Sequence, residues 1–135
     1  MARPIKQGLD YFPVDIQFDD KMELLIAENG SDSISIMITV WQLIYQNGYF
    51  VGNGEDLFFM VRRRTMLDIK TIEKVINSAI KRKLFDSKIH KEYNILTSKA
   101  IQRRYLNATS RRERVNVNRN YLLVSVDEYK NIELV

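Results

Sequence analysis

At 135 residues the chain has room for one domain around one hydrophobic core, and its 45% hydrophobic content predicts a folded protein. The absence of cysteine excludes disulfide bonds, thiolate catalysis and cysteine-based zinc sites. The longest apolar stretch, residues 34–45, is interrupted by polar side chains, and residues 1–13 lack the apolar core of a secretory signal. We therefore expect a cytoplasmic protein without a membrane partner.

The net charge of +4 is distributed unevenly along the chain. Residues 1–60 carry three basic and nine acidic side chains, whereas residues 61–119 carry seventeen basic and five acidic ones. Such asymmetry points to a polyanionic partner for the middle of the chain. The alternative is a set of solvated helix faces, which need no partner.

The first half of the chain predicts an extended arm followed by two helices. Residues 1–19 contain both prolines and show no periodicity, which is typical of an arm. Asp20 is predicted to cap a short helix, with Glu23 completing a capping box and Gly30 ending the helix. Residues 32–46 alternate like a strand but also fit helical spacing, and their length before Asn47-Gly48 favours a helix.

The middle of the chain predicts a helix pair after a short strand at residues 49–51. The first helix runs over residues 55–64 and the second over residues 68–83, with Asp68 as its N-cap. In the second helix, apolar residues share one side. On nearly the opposite side fall Lys70, Lys74, Asn77 and Lys81.

Three further elements are predicted after this helix pair. Leu84-Phe85 and residues 95–97 are two short apolar runs that we expect to pair as an antiparallel hairpin, with Lys88, His90 and Lys91 near its tip. Ser98 is predicted to cap a basic helix that runs to about Arg114. Residues 121–126 are apolar and strand-like, so we expect them to contact another chain, to lead into a further domain or to fold back; contact with another chain is favoured.

This order of elements predicts a mainly α fold with a small β wing, namely a winged helix-turn-helix of about five helices plus short strands. Residues 20–114 would form that domain, residues 1–19 the arm, and residues 115–135 a C-terminal extension. In such domains the second helix of the turn motif enters the major groove and the wing touches the DNA backbone.

Several segments also resemble a known family. The likeness rests on Met1-Ala2-Arg3-Pro4 with residues 8–13, on Trp41 to Tyr45 with residues 47–49, and on residues 84–86, 93–98 and 101–105. These segments resemble the N-terminal domain of unknown function in phage and prophage replication proteins related to the DnaD-like replisome organisers. The resemblance implies a DnaD-like winged helix, self-association, and a role in opening or loading a replication origin beside a helicase loader or another replication protein. It assigns no binding residues, and the chain beyond Val115 shows no match to a helicase-loading tail.

The candidate DNA-binding residues come from the basic segments. The lysines of the second paired helix would neutralise phosphates, and Asn77 alone offers a bidentate base contact. The arginines that end the preceding helix could instead complement its dipole, and those of the last helix could form oligomer contacts or ion pairs. The full set is Arg62, Arg63, Arg64, Lys70, Lys74, Asn77, Lys81, Lys99, Arg103, Arg104, Arg111, Arg112 and Arg114.

No arrangement typical of catalysis is found in the sequence. His90 is the single histidine, and Gly52-Asn53-Gly54 lacks the lysine and hydroxyl residue of a phosphate-binding loop. We expect a protein that is not an enzyme and that has no cofactor and no metal. The leading hypothesis is a module that binds double-stranded DNA with weak sequence preference and self-assembles in phage or mobile-element replication initiation. A transcriptional regulator and a protein-interaction domain without DNA binding are the alternatives.

Overall fold

The computed structural model describes residues 7–135, so the first six residues of the predicted arm lie outside the described residues. The described part is mainly helical with small strand pairs, as predicted. Its elements are α1 (Asp20–Asn29), α2 (Asp32–Asn47), β1 (Val51–Gly52), α3 (Glu55–Thr65), α4 (Ile69–Lys81), α5 (Ser87–Tyr93), β2 (Ile95–Leu96), α6 (Lys99–Ala108), β3 (Val115–Val117) and β4 (Ile132–Leu134). None of the described helices combines the length and the apolar composition that crossing a bilayer requires.

The beginning of α1 differs by one residue from the prediction. The Asp19 side chain, and not that of Asp20, accepts a hydrogen bond from the Met22 backbone N–H at 2.9 Å. Glu23 therefore lies one position too late for a capping box, because the box requires the acidic residue three positions after the cap. The predicted end is confirmed, since Gly30 adopts a φ of 84° that favours glycine.

Helix α2 is the centre of the core, and its helical prediction is confirmed. Burial follows helical spacing, with Ile36, Met37, Val40, Leu43 and Ile44 buried. Gln42 is exposed, although in a strand it would share a face with Val40 and Ile44. Helices α1, α3 and α4 all pack against it. Burying an aliphatic side chain of this size contributes about 1.5–3 kcal/mol, so the helical face outweighs the strand propensity of these β-branched residues.

The predicted hairpin is wrong. Strand β2 pairs antiparallel with β1, with Val51 opposite Leu96, while Leu84 and Phe85 belong to no strand. Phe85 is instead buried in the core, and the segment that would form the hairpin tip is helix α5. Local signals explain that helix, because the Asp86 carboxylate accepts from the Ile89 N–H at 2.9 Å.

Helix α6 begins at its predicted cap but ends earlier than predicted. The Ser98 hydroxyl accepts from the Ile101 N–H, and the last helical residue is Ala108, not Arg114. Beyond it, the Asn131 side-chain amide donates to the carbonyl oxygens of Thr109 and Arg112, both at 2.9 Å. These carbonyls would otherwise bind the next turn of the helix, so a residue from the C-terminal segment fixes the end of α6.

The C-terminal extension folds back on its own domain. Strands β3 and β4 pair in parallel, and residues 121–126 form no strand, which corrects the strand prediction for them. Leu122, Val124 and Val126 pack against the core, so the apolar surface that suggested contact with another chain is already partly covered. The apolar character of residues 121–126 therefore no longer supports self-association, which stays a prediction.

The described part of the arm, residues 7–19, runs without helix or strand across the end of α2. The Leu9 N–H donates to the Tyr45 carbonyl at 2.7 Å. Gly8 allows this approach, because a Cβ atom there would lie 1.9 Å from the backbone oxygen of Gln46. The arm therefore belongs to the folded domain from Gly8 onward.

Candidate nucleic-acid interface

Helix α4 presents its basic side to solvent, as the spacing predicted. The Asp68 carboxylate accepts from the Thr71 N–H at 2.7 Å, and this hydrogen bond lowers the pKa of Asp68. Four buried residues on the inner side then fix the rotation of the helix: Ile72, Val75, Ile76 and Ala79. As a result, the side chains on the outer side are exposed: Lys70, Lys74, Asn77 and Lys81.

We call this exposed region the α4 surface, which is shallow and includes two acidic side chains. It is lined by Glu28, Lys70, Glu73, Lys74, Asn77, Ser78 and Lys81. Glu28 accepts from the Arg82 guanidinium at 2.6 Å, and the Ser78 hydroxyl and Arg82 together lower its pKa. The charge of Glu28 is therefore compensated, whereas Glu73 adds a negative charge among the lysines.

The arginines of α3 lie in its last helical turn, before a short link to α4. Arg62, Arg63 and Arg64 are exposed, and the link consists of residues 66–68. Positive charge at this position complements the helix dipole. A structural role and a binding role therefore explain these arginines equally well. Met66 ends α3 in the left-handed conformation, with a φ of 62°.

The basic residues of α6 do not join the α4 surface. Lys99, Arg103 and Arg104 are exposed along the wall of a separate groove of about 550 Å³. We call it the arm groove, because residues 12–15 of the arm form part of its lining. No pattern in the sequence predicts this groove, because its walls come from segments that lie far apart in the chain.

Two of the three candidate arginines after α6, Arg112 and Arg114, have structural partners. The Arg112 guanidinium donates to the Gly8 carbonyl at 2.7 Å and so fastens the arm to the domain. Arg114 lies 3.6 Å from the Glu133 carboxylate, across the β3–β4 pair. Arg111 is exposed in the loop before β3. The structure therefore divides the candidate residues among the α4 surface, the end of α3, the arm groove and this loop.

Within residues 7–135, no group of three or more histidine, aspartate or glutamate side chains is arranged to hold a metal ion. His90 lies on α5, where its Nε2 atom is 2.9 Å from the Asn53 side-chain nitrogen. This contact joins α5 to the loop after β1.

Fold and surfaces together describe a small, mainly helical domain with a cationic helix face and a separate cationic groove. The family model "Lin1244/Lin1753-like, N-terminal" matches residues 11–101. The chain is also 38% identical over 134 residues to a protein of Listeria innocua serovar 6a described as "Uncharacterized phage-related protein Lin1244/Lin1753". That alignment covers 98% of this chain but 44% of the relative, so the chain spans less than half of the relative's length.

The chain belongs to the Lin1244/Lin1753-like N-terminal family. This membership confirms the phage association that the sequence predicted, and it assigns no DnaD-like activity to the domain. No solved structure matches the chain.

Proposed function

We propose that this domain binds duplex DNA through the α4 surface, as part of a phage-associated replication protein. The proposal rests on the α4 surface, where three exposed lysines and Asn77 lie on a helix whose opposite side is buried. Lysines that neutralise phosphates release counterions, which supplies affinity without sequence specificity. Asn77 is the one side chain among these four that can read an adenine through two hydrogen bonds, so the sequence preference should be weak.

The arrangement of α3 and α4 supports a helix-turn-helix reading of this surface. The two helices pack against each other and are joined by a three-residue link, and α4 is the second of the pair. In helix-turn-helix proteins this second helix enters the major groove. Helix α5 occupies the place in the chain where a winged helix would have its hairpin, so we propose that α5, with Lys91, takes the position of the wing.

The replication context is supported by resemblance rather than by the site. The family relative is described as phage-related. Residues 8–13, 93–98 and 101–105, among other segments, resemble the N-terminal domains of phage replication proteins. The helicase-loading partner and the self-association implied by that resemblance remain part of the proposal.

A salt series with a labelled random duplex tests the proposal. Log K should fall with log salt at a slope of about −0.9 per phosphate contact, so replacing Lys70, Lys74 and Lys81 by glutamine should reduce the slope by about 2–3. The matched control replaces Arg103 and Arg104 by glutamine and should keep the wild-type slope. Unchanged binding by the lysine variant would remove α4 from the interface.

Two further ligands separate the alternatives in the same assay. Tighter binding to a single-stranded oligonucleotide than to duplex would contradict the helix-turn-helix reading. A strong preference for one duplex sequence would favour a transcriptional regulator, and no binding to any DNA would favour a protein-interaction domain.

A further inference from the structure

The arm groove has an apolar floor. Its floor residues come from the arm, α1, α2 and α6, and Met22, Tyr45 and Ile101 among them are nearly fully buried. Phe12 stacks on Tyr45 with a ring-centroid distance of 4.8 Å. The floor consists of Phe12, Phe18, Met22, Trp41, Tyr45 and Ile101. A concave apolar floor of this size is typical of a ligand site, because an inserted apolar side chain loses its contact with water there.

The rim of the arm groove is cationic. Six basic side chains line the groove, together with the carboxylates of Asp15, Asp19 and Asp86. Asp19 and Asp86 each accept a hydrogen bond from the first turn of a helix, so part of their negative charge is already compensated. The basic residues are Lys21, Lys83, Lys88, Lys99, Arg103 and Arg104.

A buried polar group lines the same groove. Tyr45 is 2% exposed, and within the described part of the chain its O–H has no acceptor, because the nearby Arg104 guanidinium can only donate. Burial raises the pKa of Tyr45, and the nearby Arg104 guanidinium offsets part of this shift. Leaving a buried hydroxyl unpaired is unfavourable, so a ligand that supplies an acceptor would remove this cost.

We propose that the arm groove binds an acidic peptide segment of a partner protein, with a bulky apolar side chain of the segment on the groove floor. Carboxylates of the segment would bind Arg103 and Arg104, since guanidinium groups suit bidentate contacts with carboxylates. The N-terminus of α6 lies in the groove wall, and its dipole favours the same negative charge.

The groove lining favours a peptide over single-stranded nucleic acid. A nucleic-acid strand carries a negative charge on every nucleotide, so it could not keep its charges away from Asp15, whose carboxylate, unlike those of Asp19 and Asp86, is not held at the start of a helix. One ring face of Phe12 is already stacked on Tyr45, which leaves less aromatic surface for a base. A peptide can instead place its carboxylates beside the arginines and its apolar side chains over Met22 and Ile101.

Trp41 provides the measurement, because it is the single tryptophan of the chain and lines the groove. The probe is a short synthetic peptide in which aspartates flank two phenylalanines, titrated while Trp41 emission is recorded. We expect a saturable change in emission. Affinity should be about tenfold lower for a control peptide with asparagine in place of aspartate, and about tenfold lower for a protein with R103Q and R104Q.

Two more variants separate this inference from the proposed DNA binding. The K70Q and K74Q double variant, which alters only the α4 surface, should bind the peptide like the wild type whatever its affinity for DNA. Y45F should weaken peptide binding by a few fold while remaining folded by circular dichroism, because it removes the hydroxyl and leaves the floor.

Four results would overturn the inference. They are an emission that stays constant up to millimolar peptide, equal affinity for the asparagine peptide, unchanged affinity of the R103Q and R104Q variant, and displacement of the peptide by oligothymidylate at lower concentration. The last result would assign the groove to single-stranded nucleic acid.

Discussion

Gln102 joins helix α6 to the C-terminal segment through both ends of its side-chain amide. The residue is 2% exposed. Its Nε2 atom donates to the Tyr121 carbonyl at 2.8 Å, and its Oε1 atom accepts from the Leu123 N–H at 2.7 Å. One side chain therefore satisfies a backbone acceptor and a backbone donor of the segment that folds back on the domain.

Replacing Gln102 by leucine keeps the approximate size of the side chain and removes both of these hydrogen bonds, together with a longer one from Nε2 to the Thr97 hydroxyl at 3.4 Å. Each lost bond costs about 1 kcal/mol, or up to about 3 kcal/mol where the remaining partner stays buried and unpaired. Residues 121 and 123 are half-buried, so water reaches part of the released backbone and the total should be about 2–4 kcal/mol. At about 3 °C per kcal/mol for a chain of this size, Tm should fall by about 6–12 °C.

The assay is thermal unfolding followed by circular dichroism, with limited proteolysis of the C-terminal segment in parallel. The matched control is Gln42→Leu at an exposed position of α2, which should change the free energy of unfolding by no more than about 0.5 kcal/mol. If Gln102→Leu unfolds at the wild-type temperature and its C-terminal segment resists protease as well as before, the amide does not hold that segment.

Three other predictions concern single backbone or capping positions. Gly8→Ala should lower the free energy of unfolding in urea by about 2–3 kcal/mol, because its Cβ would overlap the Gln46 carbonyl. The control Gly52→Ala, whose Cβ would meet nothing within 4 Å, should leave this free energy nearly unchanged. Equal effects of the two substitutions would contradict the docking of the arm. Met66→Gly should raise the free energy of unfolding by about 0.5–1 kcal/mol, because Met66 is 85% exposed and its left-handed backbone conformation suits glycine. A lower urea midpoint for this variant would refute the prediction. The lowered pKa of Asp68 means that its stabilising contribution is present above its usual value of 3.8 and is lost as the pH falls through the lowered value. Asp68→Asn should therefore flatten the acid side of the Tm profile, and a profile identical to that of the wild type would exclude Asp68 from the acid dependence.

Local signals in the sequence determined most of the helices. Gly30 ends α1 as predicted, and Asp68 and Ser98 cap the helices that they were predicted to cap. The basic side of α4 was predictable as well, because a period of 3.6 residues places its lysines opposite a buried apolar side. These features depend on residues within one or two turns of each other, so the sequence alone contains the necessary information.

Tertiary structure decided the features that depend on residues far apart in the chain. Strand β2 pairs with β1, more than forty residues earlier in the chain, so Phe85 enters the core and does not pair in the predicted hairpin. Asn131 sets the end of α6, and Gln102 holds the C-terminal segment that was predicted to contact another chain. The arm groove likewise exists only where the arm, α1, α2 and α6 meet. Each of these features depends on a hydrogen bond or a buried contact between residues that lie far apart in the chain. Helix and strand periodicities reflect only residues within one or two turns of each other, so these contacts are determined by the tertiary structure.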